Sequence, residues 1–110
     1  MFLSPVSPFN ADVEHAGDSA TIRMHGELDI AGIETLRAAL DEAQAAGATR
    51  IVFDMRPLEF IDSTGVSELL RTTHQGYLNG CKVEYLRTPV GPVARTLELM
   101  RVSALLPLAA

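Results

Sequence analysis

Ser63 lies in the run Asp62-Ser63-Thr64-Gly65, immediately before apolar residues at helical spacing, and it is where this sequence best supports chemistry. A serine or aspartate oxygen at such a position can accept from an early helix N–H and cap the helix, which is worth about 1 kcal/mol. Glu68 follows too late to complete an ideal capping box with Thr64. The same place suits a phosphate, because a helix start offers unpaired N–H groups and a partial positive charge. Phosphorylating a hydroxyl there adds a charge of about −1.5 to −2 and three strong acceptors. A partner lying over the site would have to desolvate that dianion beside Asp62, and losing about 3 kcal/mol of binding weakens affinity more than a hundredfold. These four residues alone are equally compatible with a cap and with a switch.

Other reactive arrangements are poorly represented. His15, His25 and His74 are scattered and Cys81 has no neighbouring thiol, so no metal-ligand spacing stands out and no metal or cofactor is expected. Ser63 is not inside Gly-x-Ser-x-Gly, Cys81 lies in an ordinary strand context, and there is neither a Gly-x-Gly-x-x-Gly run nor a P-loop. Glu27, Asp29, Asp54 and Asp62 fall near expected strand ends. Two of them could pair as general acid and base, a hydrolase reading that requires a deep pocket holding acids with separated pKa values. Solvated loop carboxylates and helix caps account for them more simply. The chain is therefore read as a binding domain and not an enzyme.

Composition bounds the partners. A chain of 110 residues with 47% hydrophobic residues is the size of one globular domain with a real core. Its formal charge of −5 argues against nucleic acid or an anionic membrane as the main partner. No stretch approaches the roughly 20 apolar residues of a membrane span. Met1-Phe2-Leu3-Ser4-Pro5 lacks the pattern of a signal peptide. The single Cys81 cannot form an internal disulfide, and a cytoplasmic location is expected.

The elements that must position Ser63 can be read in order. Residues 1–10 carry two prolines and no periodicity and read as a flexible or extended arm ahead of one domain over 11–110. Strands are expected over Asp12–Ala16 and Ala20–His25, joined as a hairpin through Ala16-Gly17-Asp18. Asp29 caps a helix over Ala31–Ala46, with Ile33, Leu36, Leu40 and Ala43 on one face and Gly47 at its end. Arg50–Asp54 reads as a central strand. Pro57 stops it, and Leu58, Phe60 and Ile61 add apolar surface ahead of Asp62. The second helix starts at the Asp62–Gly65 run, places Val66, Leu69, Leu70 and Thr73 on its apolar stripe, and stops at Asn79-Gly80. Lys82–Leu86 is the next strand, Pro89 or Pro92 opens a third helix with Val93, Leu97 and Met100 on one face, and Leu105-Leu106 forms a last short strand. The order ββαβαβα(β) gives an α/β fold, a mixed sheet of four to five strands with helices packed on it.

Several of these blocks resemble the STAS domain family. Gly26-Glu27-Leu28-Asp29, Ile33-Glu34-Thr35-Leu36-Arg37 and Ile51-Val52-Phe53-Asp54-Met55 are similar to its successive motifs. The run from Leu58 through Asp62-Ser63-Thr64-Gly65-Val66 resembles the phosphorylation segment of bacterial anti-sigma factor antagonists. The resemblance implies partner switching. The unphosphorylated antagonist binds an anti-sigma factor that is also a serine kinase and so frees a sigma factor; the kinase phosphorylates it with ATP, the complex separates, and a serine phosphatase resets it. Carried over, Ser63 is the phosphoacceptor and Thr64 the alternative acceptor. Asp29 and Asp62 are acidic positions near the site, Gly65 leaves room for close backbone approach, and Val66, Leu69 and the exposed side of the second helix are candidates for partner contact, with a core position as the other reading of Leu69. The family commonly has a further helix after its last strand, with no counterpart here beyond Leu106. The other role the resemblance implies is a non-switching STAS subunit of a transporter or stressosome-like complex, with Ser63 only a cap.

Overall fold

The computed structural model describes residues 7–109. β1 (Asn10–Ala16) and β2 (Ser19–Leu28) form an antiparallel hairpin in which Val13 faces Ile22. Gly17 turns the chain between them with φ 62°, a conformation cheap only for glycine. A 3-10 turn (Ile30–Gly32) then leads into α1 (Ile33–Ala45), followed by β3 (Arg50–Asp54) and β4 (Leu58–Ile61). α2 (Ser63–Leu78), β5 (Lys82–Leu86) and α3 (Pro92–Leu99) complete the main elements. The expected order is present, and the apolar stretch ahead of Asp62 contributes β4 as the fifth strand. Of the arm expected over residues 1–10, residues 1–6 lie outside the described residues. Ser7 accepts from the Glu27 N–H at 3.0 Å, and Asn10 already belongs to β1.

The sheet is organised by β2. Its first half pairs in parallel with β3, from Ser19↔Arg50 to Arg23↔Asp54, and its second half with β4, from Gly26↔Leu58 to Leu28↔Ile61. β3 pairs in parallel with β5, so it is central, as its apolar density implies. Strict alternation along β2 buries Ala20, Ile22, Met24 and Leu28 on one face, where they meet Ile51, Phe53, Val83 and Tyr85 and the apolar faces of the helices. Phe53 and Tyr85 stack with ring centroids 5.4 Å apart. The Tyr85 hydroxyl donates to the Leu69 carbonyl at 3.1 Å, tying α2 to β5, and burial pushes its pKa up.

The opposite face of the sheet is charged. Asp54 lies between Arg23 and Arg56, and Glu84 between Arg50 and Lys82. Both carboxylates are buried, and each is paired with cations on the same face. Arg50–Asp54 thus reads as continuous although only Ile51 and Phe53 of its five residues face the apolar core.

The expected last strand at Leu105-Leu106 does not form. Ser103–Leu105 is a 3-10 turn, and the C-terminal segment touches the sheet through a single bridge between Leu108 and Tyr85. The Tyr85 N–H donates to Pro107 at 2.7 Å, and the Ala109 N–H to Tyr85 at 2.8 Å. Pro107 has no N–H with which to carry that ladder back toward Val83, so pairing stops after one step. Met100, expected on the buried face of α3, falls just past the helix and is 37% exposed, whereas Val93 and Leu97 are buried as expected.

Candidate functional site

Ser63 stands where β4 gives way to α2, at the carboxyl ends of the parallel strands β2 and β4, the side of an α/β sheet on which ligands generally bind. Asp62 is extended, with φ −108° and ψ −175°, and its carboxylate accepts from the Gly65 N–H at 3.0 Å. The Asp62 carbonyl accepts from the Val66 N–H at 2.9 Å, and the Asp62 N–H donates to Leu28 at 3.3 Å. The cap is therefore Asp62. Ser63 is the first helical residue and exposed, and no hydrogen bond among the described residues occupies its hydroxyl or that of Thr64. The Ser63 and Thr64 N–H groups have no acceptor inside the helix at these positions.

A matching unit lies next to it. Asp29-Ile30-Ala31-Gly32 leaves β2 as Asp62-Ser63-Thr64-Gly65 leaves β4, and the two strands are paired at Leu28↔Ile61. Asp29 is also extended, and its carboxylate accepts from the Ala31 N–H at 3.0 Å. Both glycines are buried against what comes before them. A Cβ on Gly65 would sit 2.7 Å from the Leu28 carbonyl oxygen, and one on Gly32 would sit 2.6 Å from the Phe9 Cβ. The close approach expected of Gly65 is thus made to β2 of its own chain. The pattern Asp-x-x-Gly followed by Ile33 or Val66 was visible in the sequence as a repeat too short to stand out.

Side chains around Ser63 are a mixture. Ile30, just past the end of β2, is 77% exposed, whereas Phe60 of β4, 42% exposed, lies with Gly91, Pro92, Arg95 and Thr96 at the start of α3. Val66 and Leu69, the expected partner contacts, are each 0% exposed and belong to the core. That is a correction with a simple cause. They are the residues of α2 that face the sheet, whereas the outward side carries Ser63, Thr64, Ser67 and Arg71. Glu68, on the next turn, is buried and held by two arginines. Arg37 of α1 reaches it through Nε at 2.9 Å and Nη2 at 3.0 Å, and Arg71 joins from α2. These guanidinium groups, Arg37 first, pull the Glu68 pKa down to about 2.

Of the carboxylates near the strand ends, Asp29 and Asp62 leave neighbouring strands and each caps its own turn, whereas Asp54 is held elsewhere. Asp54 is paired with Arg23 of β2, about 20 Å along that strand from Asp29 by the strand rise of about 3.3 Å per residue. Arg56 and Arg23 take its oxygens and lower its pKa, the reverse of what a general acid needs. His15 pairs with Glu42 and His25 with Asp12, both on the surface, and the described residues contain no cluster of three or more metal-ligating side chains. Glu68, Arg37 and Ile30 are the neighbours of the site that sequence reasoning missed. The signal for the first two was a glutamate on an otherwise apolar stripe, which demands a cation opposite it.

With this geometry established, the comparisons with known proteins are specific. The family model described as "Mlab, STAS domain" matches residues 11–107. Comparison with curated protein sequences gives no match. Among solved structures, the chain is similar to an anti-sigma factor antagonist from Mycobacterium paratuberculosis, with 21% identity and a TM-score of 0.73 over 96% of this chain and 89% of that one. It is also similar to the anti-sigma factor antagonist SpoIIAA in its unphosphorylated form, with 25% identity and a TM-score of 0.71 over 91% of this chain and 88% of that one. The phosphorylated form of the Bacillus cell fate determinant SpoIIAA matches at 24% identity and a TM-score of 0.64, over 91% of each chain.

Proposed function

Because this chain belongs to the STAS domain family, we propose that it is an anti-sigma factor antagonist working by partner switching, with phosphorylation of Ser63 as the switch. The observation that carries this reading is the separation of two jobs within Asp62-Ser63. Asp62 caps α2, which leaves the Ser63 hydroxyl exposed, unbonded and at the positive end of a 16-residue helix. The similarity to a protein solved in both phosphorylated and unphosphorylated forms supports it. Unphosphorylated, the surface made by Ile30 and the outward side of α2 binds an anti-sigma factor with serine kinase activity, and a sigma factor is released. The kinase transfers the terminal phosphoryl group of ATP to Ser63 Oγ. A dianion then stands beside the Asp62 carboxylate, and closing the same interface requires desolvating both. A serine phosphatase restores the hydroxyl. Thr64, also exposed, is the alternative acceptor. In this reading the protein works in the cytoplasm without cofactor, and neither nucleic acid nor membrane is its partner; no helix among the described residues is long and apolar enough to cross a membrane.

The test is a pull-down with and without ATP, followed by phosphosite mapping and calorimetry with the kinase recovered. Ser63→Ala is expected to lose labelling and keep binding, and Ser63→Glu to weaken binding about tenfold or more. Undiminished labelling of the Ala variant at a residue other than Thr64 would overturn the assignment. Equal affinity for wild type, Ser63→Glu and the phosphorylated protein would favour the second reading, a non-switching STAS subunit of a transporter or stressosome-like complex.

A further inference from the structure

The charges of this molecule are unevenly shared. Residues 1–86 contain thirteen acids and six cations, and each of those cations is ion-paired with a carboxylate. Residues 87–110 contain three arginines against the single acid Glu98, and none of the four is in an ion pair among the described residues. An acidic chain thus has one basic end, and α3 runs through it. At about 3.6 residues per turn, Arg95 and Leu99 point away from Val93 and Leu97, the residues that α3 buries. An open groove of about 360 Å³ lies between Phe60 of β4 and Gly91, Pro92, Arg95 and Thr96 at the start of α3. Phe60 is exposed, as are Leu99, one turn beyond Arg95, and Val90, next to Gly91. Glu98 lines a different cavity, on the other flank of α3, and Glu59, next to Phe60, accepts from the Ser7 hydroxyl at 3.2 Å. The groove therefore joins uncovered apolar surface to a guanidinium that no carboxylate of the described residues neutralises.

We propose that this groove docks a short acidic segment of a partner protein, an apolar anchor lying against Phe60 and Pro92 and a carboxylate pairing with Arg95. Aromatic and arginine side chains are where binding energy concentrates at interfaces, and the groove brings one of each together. Charge selects the occupant. Phe60 and Pro92 alone accept any apolar side chain, but Arg95 repels a basic segment and gives an acidic one charge-assisted hydrogen bonds. A large polyanion, such as an anionic membrane, reaches beyond the groove and meets the thirteen acids of residues 1–86. A short segment avoids them, because charges farther than about 8 Å are screened at physiological ionic strength. The groove is built from β4 and α3, not from the first turn of α2, so a partner held here stays bound in both states of Ser63. The proposal stands or falls separately from the switch.

The test is an NMR titration of the whole chain that follows the backbone amides of Phe60, Arg95, Thr96 and Leu99, with those of Ile30 and Ser63 as the reference site. The probes are the acetylated hexapeptide Glu-Asp-Phe-Leu-Asp-Glu, its counterpart with Lys for every acid, its counterpart with Ser for Phe and Leu, and phosphatidylglycerol vesicles. The acidic apolar peptide is expected to give saturable shifts in the groove and none at Ile30 or Ser63. Each counterpart should bind about tenfold more weakly or worse, and so should the acidic peptide to Arg95→Glu or Phe60→Ser. Ser63→Glu should bind it as wild type does. The proposal is overturned by equal binding of the Lys counterpart, by unchanged binding in Arg95→Glu, by shifts centred on Ile30 and Ser63, or by no saturable shift. Vesicle binding abolished by Arg95→Glu would assign the groove to a membrane instead. Self-association abolished by Phe60→Ser would assign it to a second copy of this chain, and either result overturns the proposal. If Phe60→Ser does not fold, Arg95→Glu, on the outward side of α3, decides alone.

Discussion

Asp29-Ile30-Ala31-Gly32 and Asp62-Ser63-Thr64-Gly65 are the same device with different contents. Each takes the chain off the end of a parallel strand, caps the turn that follows with an aspartate, and buries a glycine under the next helix. The first carries Ile30 and Ala31 at its two exposed positions, the second Ser63 and Thr64. Since the first unit caps well with no hydroxyl at all, hydroxyls are not what the geometry requires. What the second unit adds is chemistry on an already complete scaffold. Local sequence leaves a cap and a switch equally open at Ser63, and the comparison between the two units favours the switch.

The largest difference between the units should appear at their glycines. Gly65 abuts the Leu28 carbonyl and the Ile61 side chain, with an added Cβ at 2.7 and 2.8 Å, and neither strand can retreat without breaking the sheet. Gly32 abuts only the Phe9 side chain, on the segment that precedes β1. Gly65→Ala should therefore lower stability by about 2 kcal/mol, overpacking outweighing the gain in helix propensity, and Gly32→Ala by about 1 kcal/mol or less. Urea denaturation of both variants measures the gap. Equal effects would mean that the two units are held with the same rigidity.

The helices that follow the two units are joined by Arg37, Glu68 and Arg71, and that joint is sensitive to acid. The Glu68 carboxyl titrates at about 2 in the folded protein against an ordinary 4.5. A carboxyl lowered on folding contributes stability that is complete above the ordinary value and is lost as pH falls through the folded one. Wild type should thus lose this contribution between pH 4.5 and about 2. Glu68→Gln should be less stable by about 1.5 kcal/mol at neutral pH, the full linkage value being reduced because both guanidinium groups are half in water. Its acid limb should be flatter, meeting wild type near the low end of that window. Parallel acid limbs in a series of thermal melts would show that the triplet does not couple α1 to α2.

How much was legible depended on whether a residue's signal was local. Gly47 and Gly80 mark the ends of α1 and α2 because both take positive φ, 89° and 73°, and their neighbours close the last turn. α3 ends in the same motif, with the Val102 N–H donating to Leu97 at 3.0 Å, yet its left-handed residue is Arg101 at φ 58°, so no glycine announces it. β4 went unread as a strand because its burial runs in–out–out–in, following the register shift between Gly26 and Glu27 of its partner. Pairing decided that element, not alternation. At the site, Asp62, Ser63 and Thr64 were readable from the capping pattern. Val66 and Leu69 were contact candidates only through the family resemblance, and the apolar stripe of the sequence already set both on the side of α2 that packs on the sheet. Glu68 needed Arg37, 31 residues away, and no local rule finds such a partner.

The smallest expected difference concerns the caps themselves. Asp62 holds the first turn of a 16-residue helix, whereas Asp29 holds a three-residue 3-10 turn. Asp62→Ala should cost about 1 kcal/mol and Asp29→Ala about half as much, since a shorter turn has less structure for a cap to hold. The informative readout is not stability alone. With Asp62 gone, the Gly65 N–H loses its acceptor and Ser63 becomes the nearest replacement. A serine drawn into capping is a worse phosphoacceptor. Asp62→Ala should therefore slow labelling of Ser63 by the kinase, while Asp62→Asn, which still caps, should preserve it, and Asp29→Ala should leave it unchanged. Slowing by Asn as large as by Ala would mean that the kinase reads the charge of Asp62 directly. The two aspartates would then differ in recognition as well as in the length of helix they hold.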